Sequence, residues 1–141
     1  EKGAKLLAGG KKPTGSEFER GYFYEPTVLK GITNDMDIAT EETFGPVAPI
    51  TVVNDTEEAV RAANNTRYGL AAYIYSDNTN EAVRMAEQLE AGSVGINNNS
   101  VCRVEAPWGG WKDSGFGREL SSHGLDEYLQ LKHIKFEFTI E

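Results

Sequence analysis

The sequence predicts an α/β fold, mainly a parallel sheet with helical crossovers, and three observations carry that expectation. Residues 49–53, 70–75 and 93–97 are short apolar runs with β-branched and aromatic residues, the composition of strands. Two stretches with helical periodicity lie between them. A strand–helix–strand–helix–strand order calls for helical crossovers, and such crossovers return the chain parallel to itself.

Each element has its own reason. Residues 1–7 open without a capping residue, as the tail of a helix or strand would if cut from something longer. Residues 9–21 contain Gly, Lys and Pro and read as a loop. Residues 22–29 are strand-like but carry Pro26, which suits an edge or irregular strand. After the run at 49–53, Asp55 and Glu58 have the spacing of a capping box at a helix start. Ala59, Ala62 and Ala63 would give that helix a small apolar face. Residues 77–80 cap the second helix, in which Ala82, Met85, Ala86 and Leu89 fall at i, i+3, i+4 and i+7. Gly92 sits where a helix C-terminus favours glycine.

Residues 107–119 are dense in glycine yet hold Trp108, Trp111 and Phe116, which reads as a structured loop against a pocket. A helix is expected over about 121–130. Residues 133–141 alternate apolar and charged side chains, so one face of a strand would be buried and would need a partner, such as a second subunit.

Composition excludes several functions. The 141 residues, 39% of them apolar, suffice for one ordinary domain with a core. A net charge of −8 argues against a nucleic-acid partner or an anionic membrane surface. No apolar run approaches the length of a membrane span, and no signal-like stretch opens the chain. The single cysteine, Cys102, rules out an intrachain disulfide and fits a reducing, cytoplasmic setting. No metal site is assigned.

Three segments carry an identification. They are Glu41-Glu42-Thr43-Phe44-Gly45-Pro46-Val47, then Asn64-Asn65-Thr66-Arg67-Tyr68-Gly69-Leu70-Ala71-Ala72, then the glycine-rich stretch 107–119. In content and order they resemble late motifs of the aldehyde dehydrogenases, and the resemblance covers nearly the whole chain. It implies that residues 1–130 are the C-terminal part of that family's catalytic domain and 131–141 its oligomerisation strand. The complete protein would be a homodimer or homotetramer acting on a small-molecule aldehyde. In such enzymes a cysteine thiolate attacks the aldehyde, hydride passes to the nicotinamide of NAD or NADP, and water releases the carboxylate.

The resemblance also implies roles, each with a plainer alternative. Glu42 would accept hydrogen bonds from the nicotinamide ribose, a task suited to a carboxylate; the alternative is a local turn cap. Phe44 would lie against the nicotinamide ring, and Leu70 would approach the same end of the pocket; either would otherwise be core. Glu119 would support the charge of the catalytic machinery, or else form a salt bridge or a helix N-terminal charge. Cys102 falls on the loop lining the aldehyde pocket, as a substrate contact or as simple packing. Trp108 replaces the phenylalanine common at its position, which resembles betaine-aldehyde and aminoaldehyde dehydrogenases. An indole face attracts a quaternary ammonium by about 0.5–2 kcal/mol. A larger hydrophobic wall is the alternative, and a semialdehyde or a general aliphatic aldehyde stays open.

Cys102 is not read as the nucleophile. The family's catalytic cysteine lies upstream of every segment resembled here, as do its general-base glutamate and its cofactor-binding glycine loop. A lone cysteine and a histidine downstream of it, His123, set no spacing constraint. Residues 115–120 hold only two of the three glycines of a dinucleotide fingerprint. The chain by itself is therefore expected to be inactive. Two other readings stand beside this one: a stand-alone, non-catalytic binding or structural module, and a cysteine hydrolase built on Cys102 and His123.

Overall fold

A computed structural model describes residues 3–138, so the parts of the expectations that fall on 1–2 and 139–141 lie outside the described residues. The chain divides into two compact units, Glu1–Arg67 and Tyr68–Glu141.

The first unit contains strand β1 (Lys5–Ala8), a 3-10 turn (Ser16–Phe18), β2 (Thr27–Lys30), a short helix α1 (Asp37–Thr40), β3 (Val47–Ile50) and helix α2 (Thr56–Asn64). The strands lie in the order β1-β2-β3. β1 runs antiparallel to β2 with a register shift between Leu6 and Ala8, and β2 runs parallel to β3. Pro26 marks the end of the irregular lead, and β2 begins at the next residue. Pro49 lies opposite Leu29 in β3, at the edge of this sheet, where a missing backbone donor is tolerated. The strand expected at 49–53 is thus displaced upstream.

Ile32, Met36 and Val60 are buried in this unit. Thr27 is buried too. Its hydroxyl accepts from the Gly10 N–H (2.7 Å) and donates to the Glu25 carbonyl (2.8 Å), so burying it leaves no polar atom unpaired. The capping box at α2 forms: Asp55 Oδ1 accepts from the Glu58 N–H at 2.7 Å. Glu58 Oε2 reaches back to the backbone N–H of Asn54 (2.8 Å), one residue earlier than the standard box. The buried face of α2 differs from expectation. Val60 is buried and Ala63 exposed, because the larger valine offers more apolar area than a third alanine.

The second unit contains β4 (Tyr68–Gly69), β5 (Ala71–Ile74), helix α3 (Thr79–Gln88), β6 (Ser93–Ile96), β7 (Trp111–Lys112) and helix α4 (Ser121–Asp126). β5 and β6 pair in parallel, with α3 as the crossover. Asn78 caps α3 by accepting from the Glu81 N–H. The expected face of α3 is the observed one: Ala82 and Leu89 are buried with Ile74, and Met85, Ala86, Ala72, Val94 and Ile96 pack around them.

Three expectations need correction. The strands do not form one parallel sheet: β3 pairs with β2 in the first unit, while β5 and β6 make their own sheet. Before entering β5 the chain spends Tyr68–Gly69 on an antiparallel pairing with Trp111–Lys112, so part of the glycine-rich stretch is strand. Gly92 does not close α3 either. That helix ends at Leu89 in an extended conformation, and Gly92 lacks a positive φ. What requires glycine there is space, since a Cβ on Gly92 would stand 1.7 Å from the Gly109 carbonyl oxygen.

Two further differences concern the end of the chain. α4 stops at Asp126 rather than near 130, because the N–H groups of Tyr128 and Leu129 bond to carbonyls three residues back and tighten the last turn. Residues 131–138 are neither helix nor strand; the strand expected there has no partner among the described residues. Among the described residues no helix is long and apolar enough to cross a membrane.

Candidate functional site

In the second unit the glycine-rich stretch folds back on itself. The Trp108 N–H donates to the Glu119 carbonyl at 2.8 Å, and the Glu119 N–H donates to the Trp108 carbonyl at 2.7 Å. These two residues, eleven apart in sequence, are therefore a backbone pair. The loop between them is held at two points. Ser114 Oγ accepts from the Gly69 N–H (2.9 Å), which ties the loop to β4. Arg118 Nη1 donates to the carbonyls of Gly110 (3.1 Å) and Gly117 (2.7 Å). Just beyond, Leu120 holds φ 60 and ψ 174, a combination that costs a non-glycine residue of order 1–3 kcal/mol.

These contacts shape an open cavity of about 540 Å³ lined by Leu70, Trp108, Ser114, Phe116, Arg118 and Glu119, among others. Three of the residues singled out from the sequence, Leu70 from one segment and Trp108 and Glu119 from another, thus share one cavity. Leu70 is 42% exposed in this unit, so it is not core. Trp108 is half-buried. Glu119 directly precedes the N-cap of α4, and among the described residues it makes no salt bridge.

Cys102 behaves differently. It is exposed, and it does not line this cavity. No hydrogen bond joins it to His123, whose Nδ1 instead lies 3.8 Å from Asp126 Oδ2. A Cys–His nucleophile is therefore not assembled. Among the described residues no group of three or more His, Cys, Asp or Glu side chains is gathered as a metal site would require.

The first unit presents the other two residues. The segment 41–46 is anchored where the Pro46 carbonyl accepts from the Thr27 N–H at 2.8 Å and the Val47 N–H bonds to Gly45. Phe44 projects from it, 94% exposed, which excludes a core role within this unit. Glu42 is exposed as well, and among the described residues its carboxylate caps no turn. An unengaged carboxylate two residues from an exposed ring suits a ribose and a flat heterocycle.

Sequence reasoning missed Arg118 and Ser114. Their neighbours drew attention, but nothing in a linear sequence shows that a guanidinium will turn back onto the carbonyl of Gly110.

The chain belongs to the aldehyde dehydrogenase family, whose profile matches residues 1–134. Within the family it is similar to the betaine aldehyde dehydrogenase of Bacillus subtilis (strain 168), with 46% identity over 95% of this chain and 27% of that protein. It is also similar to the mitochondrial succinate-semialdehyde dehydrogenase of Rattus norvegicus, with 49% identity over 94% and 25%. Among solved structures, the betaine aldehyde dehydrogenase of Staphylococcus aureus in complex with NAD+ superposes with a TM-score of 0.89 and 43% identity, over 94% of this chain and 26% of that one. The succinate-semialdehyde dehydrogenase of Burkholderia pseudomallei gives a TM-score of 0.81 and 50% identity, over 90% and 26%. This chain spans about a quarter of the length of these relatives.

Proposed function

We propose that this chain is the C-terminal quarter of an NAD(P)-dependent aldehyde dehydrogenase that oxidises an aldehyde to a carboxylate, with a betaine-type or amino aldehyde as the favoured substrate. The observation that carries the reading is the convergence of Leu70, Trp108 and Glu119 on one cavity. Trp108 supplies an aromatic wall for a cationic head group. Glu119, fixed by its backbone pair with Trp108, adds a carboxylate beside that wall. Cys102 lies outside the described cavity, so a contact with the aldehyde would have to come from the exposed segment leading to Trp108. The similarity to succinate-semialdehyde dehydrogenases favours a semialdehyde as the second reading.

NAD or NADP, when bound, supplies the acceptor for the hydride. In the first unit Glu42 would hold its ribose and Phe44 would lie against the nicotinamide; in the second, Leu70 would serve the nicotinamide end of the pocket. The nucleophile and the general base come from the preceding part of the polypeptide, so this chain alone forms no product. Leu131, Ile134, Phe136 and Phe138 are exposed, and the rings of Phe136 and Phe138 lie 6.3 Å apart on one face. That face supports pairing across subunits in a dimer or tetramer. The cytoplasm is the proposed compartment, although similar proteins include a mitochondrial and a chloroplastic one.

Glu42→Gln in the complete polypeptide tests the cofactor half. Weakening a charge-assisted hydrogen bond should raise the KM for NAD(P) by about tenfold or more, with the aldehyde KM nearly unchanged. Steady-state kinetics with each substrate varied in turn would decide it, and an unchanged cofactor KM would remove Glu42 from the ribose.

A further inference from the structure

We infer that Arg118 is a positioning residue for the aldehyde pocket, fixing the Trp108 wall by clasping the backbone of the glycine-rich stretch. This rests on the reading of that cavity as the aldehyde site. Four observations bear on it. The guanidinium bonds two carbonyls, Gly110 and Gly117, from a single nitrogen, Nη1. The stem of the side chain lies over bare backbone: a Cβ on Gly109 would stand 2.7 Å from Arg118 Cδ. The backbone N–H of Arg118 donates to Glu127 Oε1 at 3.1 Å, which ties the clasp to the chain just after α4. Finally, the residues flanking the clasp are the paired Trp108 and Glu119: one precedes Gly109, and the other follows Arg118.

Chemistry explains why arginine suits the task. A guanidinium stays charged at any working pH and presents several donors in a fixed plane, so one group can serve two carbonyls without reorganising. Hydrogen bonds from an ionised donor are stronger than those between neutral groups. Gly109, Gly110 and Gly117 have no side chains to hold the backbone they form, so the clasp supplies order that glycine backbone lacks. Arg118 acts on substrate through Trp108 rather than by touching the reacting carbon. Its loss should therefore weaken aldehyde binding more than it slows the chemical step.

The test uses the complete polypeptide with Arg118→Ala and, separately, Arg118→Lys. Two readouts are taken: amide hydrogen exchange by mass spectrometry, and kinetics with aldehyde and cofactor varied independently. For Arg118→Ala, exchange across 107–119 should accelerate about tenfold or more while that of 71–96 stays as in the wild type. The aldehyde KM should rise about tenfold, with kcat within about threefold and the cofactor KM unchanged. Lysine, which keeps the charge and a donor, should recover most of both effects. Wild-type exchange across 107–119 in the alanine variant overturns the clasp. Equal losses in kcat and both KM values, with faster exchange throughout, overturn it as well by showing general destabilisation. If the wild-type polypeptide turns over no aldehyde, the reading of the site fails, and exchange at 107–119 still decides whether Arg118 holds the loop.

Discussion

Gly92→Ala should loosen the glycine-rich stretch and destabilise the second unit more than any other single methyl added to a glycine there. The added Cβ would fall 1.7 Å from the Gly109 carbonyl oxygen and 3.3 Å from the Gly110 Cα. Both obstacles are backbone, so no side chain can swing aside. The Gly92 N–H also donates to the Gly69 carbonyl at 2.9 Å, so moving Gly92 strains the entry to β5. Forcing volume into a packed site typically costs about 1–3 kcal/mol and sometimes more, and backbone contact places this substitution at the upper end. Gly115→Ala is the control. Gly115 has φ +115 but nothing within 4 Å of the added methyl, so only backbone strain opposes it. Denaturation midpoints of the complete polypeptide, with hydrogen exchange across 107–119, would compare the two. A Gly92→Ala protein as stable as wild type, with 107–119 still protected, would show that these backbones do not touch.

Trp108→Leu should cost a cationic aldehyde more than a neutral one. Leucine keeps an apolar wall but removes the π face, so the lost attraction for a quaternary ammonium is about 0.5–2 kcal/mol, or roughly 2- to 30-fold in kcat/KM. Comparing betaine aldehyde with its neutral carbon isostere isolates that component, because shape is common to both. The reading expects a drop for the cation several times larger than for the isostere. Equal drops would make Trp108 a hydrophobic wall and move the preference toward other aldehydes.

Local signals were the most legible in the sequence. The expected apolar positions Ala82, Met85, Ala86 and Leu89, on α3 and at its C-terminal cap, pack into the cluster with Ile74, because a helical period points one set of residues inward whatever surrounds the helix. The capping residues Asp55 and Asn78 act as their types suggest, since a side-chain acceptor needs only the next turn's N–H groups. The candidate site residues came from family motifs, and three of them line one cavity.

Pairing between distant segments was not legible. That β3 joins β2, or that Tyr68–Gly69 joins Trp111–Lys112, depends on contacts a local pattern does not encode. Gly92 shows the same limit. Its place after a helix suggested a cap, while its reason is the close passage of Gly109, seventeen residues away. Arg118 was passed over for Glu119 because its partners are backbone carbonyls, which leave no trace in residue identity.

The central claim is that this chain supplies pocket and cofactor contacts but no nucleophile. Aldehyde-dependent NAD(P)H formation tests it most directly, measured for this chain alone, for the complete polypeptide, and for the complete polypeptide carrying Cys102→Ser. The account expects none from the chain alone, turnover from the complete polypeptide, and most of that turnover retained after Cys102→Ser. NAD(P)H formation by the chain alone, or its abolition in the complete polypeptide by Cys102→Ser, would contradict it.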